Sequence, residues 1–309
     1  MKKRAIRYIT GLALVCALGA AAISTSAPAE EEYVENEYGF VDGSMDVSNG
    51  IPDDAQGRLL KIKEAGKLTV ATEPYFAPQE FIDPSKTGQE QYVGADMEFA
   101  KLVAERMGVE LEIVPLEFTA VQASVAEGKY DLAISALAYT PGRAEAMELS
   151  KGYHLSEDSS LYGVIIRNED AENIKSVEDL ADRTIITQSG SLQEALANEN
   201  IKEYKEFKRV SSMQDAFLAV QESKADAAVI DIENARLYIQ NNPGCDMMIV
   251  EDIVFQLEPQ FDGTRVGTEK GEIQLMYFVN GVIDEMLESG IYEDWFEEYA
   301  KYAGELGIE

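Results

Sequence analysis

The chain has 309 residues, with 26 Lys and Arg against 57 Asp and Glu, one His and two Cys, and a formal net charge of −31 at pH 7. So acidic a balance excludes nucleic acid as a partner, because phosphate binding needs a basic patch. The single His and the two Cys leave almost no material for a histidine triad, a histidine metal site or a disulfide framework.

Residues 1–29 read as a secretory leader. Lys2, Lys3, Arg4 and Arg7 give a positive start, an apolar run covers Ile9 to Ile23, and Ala27-Pro28-Ala29 offers small residues for cleavage. The apolar run is about 15 residues, short of the roughly 20 that a spanning helix needs, although retention as an uncleaved anchor is the alternative. Cys16 follows Ala13-Leu14-Val15, which lacks the small residue usual before a lipidated Cys. Cleavage would remove four positive charges and no negative ones, taking the charge to −35 and leaving Cys245 as the one cysteine. Stability must then come from core burial, for which the mature length suffices in one or two domains. Residues 30–57 carry nine acids and no Lys or Arg among Gly, Ser, Asn and Pro, the composition of a solvated, flexible tether.

Beyond Gly57 the pattern becomes regular. Lys67–Thr72 reads as a strand. Asp96–Met107 reads as a helix with Met97, Ala100, Val103 and Met107 on one face and Gly108 as its stop. Val109, Leu111 and Ile113 alternate with Glu110 and Glu112, the signature of a half-buried strand. A short helix starts at Thr119 and ends at Gly128, and Leu132–Ile134 is an apolar strand. Thr140-Pro141 opens a helix, with Thr as cap and Pro in the first helical position. A second α/β region follows: strands at Leu161–Arg167, Thr184–Thr187, Ala227–Ile230 and Met247–Val250, with capping-box sequences at Ser176–Asp179 and Ser212–Asp215. A short strand after Thr264, a long helix from Gly271 to Ser289 stopped by Gly290, and a helix containing Trp295 complete the chain.

Two segments resemble one another. Val125-Ala-Glu127-Gly-Lys129-Tyr-Asp131 and Val220-Gln-Glu222-Ser-Lys224-Ala-Asp226 lie 95 residues apart, and each leads into an apolar strand. The reading is two lobes built on one plan, against chance similarity of helix–turn–strand units. Alternating strands and helices imply mostly parallel sheets, which bind ligands at the carboxyl ends of their strands. Ser135 and Asp231 follow the two strands in question.

Several residues could carry chemistry. Arg143, three residues into the helix start at Thr140, could grip a carboxylate with two parallel hydrogen bonds, or pair with Glu145 or Glu148 at the surface. Asp231 follows a buried run, where a carboxylate needs a cation, or else caps the helix after it. Phe76 and Phe118 sit in loops and could flank an aliphatic side chain or belong to the core. Glu73 lies near Phe76 and could be a plain solvated acid. Gly190-Ser191 opens a helix whose first N–H groups could meet an anion. His154 is assigned a structural role. No phosphate-binding loop, dinucleotide fingerprint or paired-cysteine metal motif is present.

In this order the pieces resemble the bacterial extracellular solute-binding proteins of family 3, the receptors of polar amino acid importers, from about Leu59 to Tyr299. The resemblance rests on Gly66-Lys-Leu-Thr-Val-Ala-Thr-Glu-Pro74, Gly94-Ala-Asp-Met-Glu98, Gly128-Lys-Tyr-Asp131 through Thr140-Pro-Gly-Arg143, Ser176-Val-Glu-Asp-Leu180, Gly190-Ser-Leu-Gln-Glu194 and Ala225-Asp-Ala-Ala-Val-Ile-Asp231. It implies an α/β, two-lobed periplasmic-binding-protein-like fold of type II, with a ligand cleft between lobes. Lobe 1 would comprise 58–157 and 258–309, and lobe 2 would comprise 158–257. Hinge crossovers are expected near His154–Ser160 and Asp252–Gly263.

The resemblance also implies roles. Arg143 would hold the ligand α-carboxylate with the backbone N–H groups of Ala138 and Leu192. Asp231, beside Ser135, would meet the α-ammonium. Phe76 and Phe118 would flank the side chain, and Glu73 would touch its far end, which points to a polar or cationic amino acid. Ala138, Leu192 and Gln79 depart from the family's usual Ser or Thr, Thr, and Phe. The implied protein is an extracytoplasmic monomer, without cofactor or metal, that delivers a free amino acid to the membrane permease of an ABC importer. The alternatives are a dehydratase-like enzyme on the same fold, with Glu73 as the acid or base, and a ligand-sensing module for a separate receptor.

Overall fold

Two five-stranded sheets organise the computed structural model, which describes residues 33–155 and 161–308. The leader assigned to 1–29, the first residues of the tether and part of the first hinge lie outside the described residues. The first lobe runs α1 (Gly57–Ala65), β1 (Lys67–Thr72), a small three-stranded sheet of β2 (Tyr75–Phe76), β3 (Glu80–Ile82) and β4 (Tyr92–Val93), α2 (Ala95–Met107), β5 (Glu110–Pro115), α3 (Phe118–Ala126), β6 (Leu132–Ala138), α4 (Pro141–Ala146) and β7 (Met147–Leu149). The chain then crosses into β8 (Leu161–Arg167), β9 (Thr184–Gln188), α5 (Leu192–Asn200), β10 (Glu206–Val210), α6 (Met213–Gln221), β11 (Ala227–Asp231), α7 (Ile232–Asn241) and β12 (Met247–Gln256). It returns as β13 (Thr264–Glu269), α8 (Ile273–Ser289) and α9 (Ile291–Leu306).

The sheet orders are β5-β1-β6-β13-β7 and β10-β9-β11-β8-β12. In each, three parallel strands are followed by an antiparallel strand that arrives from a crossover, β13 in one lobe and β8 in the other. The similar segments ending at Asp131 and Asp226 enter the equivalent strands β6 and β11. Their carboxylates do the same work: Asp131 accepts from the N–H of Thr69 at 2.8 Å, and Asp226 from that of Thr184 at 2.7 Å. Each Asp therefore pins its strand to the start of the neighbouring parallel strand. That need explains why the same Lys-x-Asp stretch recurs.

The tether reading of 30–57 is overturned for residues 33–57. Phe40, Val41, Val47, Ile51 and Ala55 are buried. Val41 donates to the Leu149 carbonyl at 2.8 Å, and buried Asn280 of α8 donates to the carbonyls of Val41 and Gly43 at 2.9 and 2.8 Å. The segment is a strap laid along α8. At Gly281 a β-carbon would stand 2.2 Å from the Met45 carbonyl oxygen, so glycine is required for the strap to lie there. The strand expected at Met247–Val250 continues to Gln256 through an irregularity in register between Ile249 and Val254. Exposed Glu251 and Asp252 occupy that irregularity and interrupt the apolar pattern, which moves the second crossover past Gln256.

Candidate functional site

The parallel strands of both sheets point their carboxyl ends at a cleft between the lobes, as open α/β sheets do. All eight residues singled out in the sequence line it: Glu73, Phe76, Phe118, Ser135, Ala138 and Arg143 from lobe 1, Leu192 and Asp231 from lobe 2. The cleft holds about 550 Å³ of space between its walls, open mouth included.

Arg143 is placed by local chemistry. The Thr140 hydroxyl caps α4 by accepting from the Arg143 N–H at 3.1 Å, and Pro141 begins the helix. The guanidinium is turned inward, 5% exposed. It donates to the Ala138 carbonyl at 2.6 Å, to Gln122 Oε1 at 2.9 Å, and across the cleft to the Gly190 carbonyl at 3.0 Å. Its carbon stands 5.2 Å from the Phe118 ring centroid, so Phe118 covers one face of the charge. Burial lowers its pKa only to about 10, so it stays protonated at neutral pH. Among the described residues no carboxylate pairs with it, and neither Glu145 nor Glu148 does so. Opposite, Ser191 caps α5, and the first N–H groups of this helix, at Leu192 and Gln193, lack intrahelical partners by construction.

The carboxyl side of the site is equally short of counter-charge. Asp231 ends β11 and caps α7, its Oδ1 accepting from the Asn234 N–H at 3.0 Å. The cap reading and the cleft position thus hold together. Burial pushes this carboxyl up to about 7. Glu73, for which a plain solvated acid is the alternative reading, is buried at the end of β1, and burial pushes it up to about 8 against a hydrogen bond from Gln188. Neither forms an ion pair among the described residues, although the charge of His154 acts against the rise at Asp231. Ser135 lines the cleft, but its hydroxyl is committed within lobe 1: it accepts from the Glu73 N–H and donates to Glu80 Oε1, both at 3.0 Å. Phe76, in β2 rather than in a loop, packs against the apolar cluster of lobe 2 and helps to hold the lobes together.

Sequence reasoning passed over the floor of the cleft. Glu80, 1% exposed, faces Asp96 at the start of α2. Asp96 accepts from the hydroxyls of Tyr292 at 2.7 Å and Tyr153 at 3.1 Å and from the Ala136 N–H at 2.8 Å. Burial, and then the charge of Asp96, push Glu80 well above the usual carboxylate range, which favours its protonated form. Gly94 makes this meeting possible: at φ +128° its missing β-carbon would stand 2.2 Å from the Gln79 carbonyl oxygen. A Glu between Gln79 and Phe81 on a short strand was the available signal. Gln79 also lines the cleft and accepts at Oε1 from Asn234 of lobe 2 at 3.1 Å.

Comparison with known proteins follows the same lines. The family model described as bacterial extracellular solute-binding proteins, family 3, matches residues 68–302. The arginine-binding extracellular protein ArtP of Bacillus subtilis is 26% identical over 238 residues, covering 74% of this chain and 86% of that protein. The crystal structure of an amino acid ABC transporter substrate-binding protein of Streptococcus pneumoniae bound to L-arginine superposes with a TM-score of 0.70 at 32% identity, covering 81% of this chain and 99% of that one. A cyclohexadienyl dehydratase of Pseudomonas aeruginosa is 24% identical over 188 residues, covering 61% of this chain and 68% of that enzyme.

Proposed function

The chain belongs to the bacterial extracellular solute-binding proteins of family 3, and from that membership we propose that it captures a free amino acid with a cationic side chain outside the cytoplasm and delivers it to the permease of an ABC importer. One observation carries the reading: among the described residues, a buried guanidinium that pairs with no carboxylate faces buried carboxyls that form no ion pair, across a single cleft. A free amino acid supplies both missing charges. Its carboxylate takes the fork of Arg143 and the N–H groups at the start of α5. Its ammonium takes Asp231, and a cationic side-chain end takes Glu73. Arg143 belongs to lobe 1 and Asp231 to lobe 2, so the ligand bridges the lobes and favours the closed form by its differential contacts.

The excess of acid over base in the cleft supports arginine, lysine or ornithine over aliphatic ligands, and the arginine bound in the pneumococcal neighbour agrees with that choice. A thermal-shift screen of the twenty amino acids, followed by calorimetry with L-arginine, L-lysine, L-glutamine and L-leucine, tests the proposal. Arginine or lysine should bind most tightly; tightest binding to leucine would refute the cationic assignment. The raised carboxyl of Glu73 is also what a general acid near neutral pH requires. An enzymatic reading is therefore tested beside the first, by incubation with arogenate or prephenate. Turnover lost on Glu73→Gln substitution would establish it.

A further inference from the structure

His154 is the chain's sole histidine, and ligand capture as described above makes no use of it. It stands at the point where the chain leaves lobe 1, its ring 2% exposed and stacked on Phe296 of α9 with centroids 4.3 Å apart. Nδ1 lies 3.0 and 3.2 Å from the two carboxylate oxygens of Glu293 on α9, in the same lobe. Nε2 lies 2.8 Å from Oε2 of Glu233, on the first turn of α7 in the other lobe. We infer that His154 is the closure latch of the protein, an imidazolium held by Glu293 in lobe 1 that takes hold of Glu233 in lobe 2 and so positions the first turn of α7, with Asp231, over the bound ligand.

The geometry requires the charged form. A neutral imidazole donates one hydrogen bond, whereas carboxylates at both ring nitrogens accept two, and acceptor-only carboxylates demand both protons. The groups facing the ring are Glu293 and Tyr292 from α9, Glu233 from α7, and Asp231 one strand end away; Arg236 follows one turn along α7. Burial works against the charge, but the hydrogen bonds to Glu233 and Glu293 outweigh it and raise the imidazole to about 9. The bond to Glu293 survives opening because both residues belong to lobe 1; the bond to Glu233 exists only when the lobes meet.

The same turn carries a second bridge, with Asn234 donating to the Ala77 carbonyl at 2.9 Å and to Gln79 Oε1 at 3.1 Å. The first turn of α7 thus holds the ammonium partner and two grips on lobe 1 within four residues. Because the imidazole is raised to about 9 in the closed form, and Glu233 adds to that rise only when the lobes meet, its contribution to closure is present at neutral pH and is lost as pH rises through about 9.

The inference rests on the cleft being the amino acid site, and the test separates the two. L-arginine affinity is measured by calorimetry from pH 6 to pH 10 for wild type, His154→Gln and Glu233→Gln. Compaction is followed by small-angle scattering with and without L-arginine. At pH 7 each variant should bind roughly ten- to a hundredfold more weakly. The ratio of wild-type to variant affinity should shrink toward one by pH 10. The ligand's own ammonium titrates in every protein alike, so it cancels from this ratio. Glu233→Gln leaves lobe 1 and the buried ring in place, so it decides the matter should His154→Gln fold poorly. Glu293→Gln should cost less than Glu233→Gln, because it breaks no bond between lobes. Variants that bind and compact as wild type does, or a ratio that does not change with pH, overturn the latch and leave the binding site intact. Failure of wild type itself to bind L-arginine counts against the cationic ligand alone. The ligand-free scattering then decides: equal compaction of wild type at pH 6 and pH 10 overturns the latch.

Discussion

Replacing Asp231 by Asn isolates charge from shape at the centre of the cleft. Asn keeps the size of the side chain and is as good a helix cap as Asp, so the bond from the Asn234 N–H and the start of α7 are preserved. What disappears is the carboxylate proposed to meet the ligand ammonium. Removing one partner of a desolvated, hydrogen-bonded charge pair costs about 2–5 kcal/mol, a loss of roughly thirtyfold to several thousandfold in affinity. Without ligand the sign reverses. The folded protein holds this carboxyl at about 7, above its ordinary 3.8. A raised acid binds its proton more tightly when folded, so its ionisation opposes folding increasingly as pH climbs from 3.8 to about 7. The penalty at neutral pH has an upper bound of about 4 kcal/mol.

The neutral Asn carries no such penalty, so ligand-free Asp231→Asn should melt at or above the wild-type temperature while binding far more weakly. A second signature follows. Ammonium binding expels the proton held at neutral pH, so wild-type affinity should rise between pH 5.5 and pH 8, and the variant should lose about one proton from that slope. Calorimetry across this range, with melting curves and small-angle scattering at saturating ligand, reads all three effects. Wild-type affinity, an unchanged pH slope and full ligand-driven compaction in the variant would refute the bridging mechanism and leave Asp231 as a helix cap alone.

The other predictions are simpler. Arg143→Lys should weaken amino acid binding roughly a hundredfold or more, because one ammonium cannot replace a fork that spans Ala138, Gln122 and Gly190 while gripping a carboxylate; calorimetry checks it. Glu73→Gln should reduce the preference for arginine over leucine by roughly ten- to a hundredfold, the loss of one hydrogen bond to a charged group, measured from paired affinities. Asn280→Ala should destabilise the protein by about 2–4 kcal/mol in denaturant unfolding, since it strands the carbonyls of Val41 and Gly43 and the N–H of Lys151, yet leave the affinity of the folded protein unchanged.

Local signals in the sequence determined much of the architecture. Thr140-Pro141 at the start of α4, Gly108 after α2 and the recurrence of Asp131 as Asp226 each act within a few residues or through one strand pairing, so they leave a period or a cap that can be read along the chain. The cleft-facing positions of Arg143 and Asp231 follow from the same signals, because a helix start and a strand end fix where those side chains emerge.

Tertiary structure alone decided the rest. The strap at 33–57 has the composition of a loop, and what orders it is Asn280, more than two hundred residues away. Glu80 looks like any strand acid until Asp96 meets it through the gap left by Gly94. Ser135 turns its hydroxyl from the expected ammonium site because Glu80 and the Glu73 N–H occupy it first. His154 acquires its charge from carboxylates 79 and 139 positions further along the chain. Contacts at such separations impose no period on the sequence. Their energies come from desolvation, which depends on what the whole fold packs around a group and not on its neighbours in the chain.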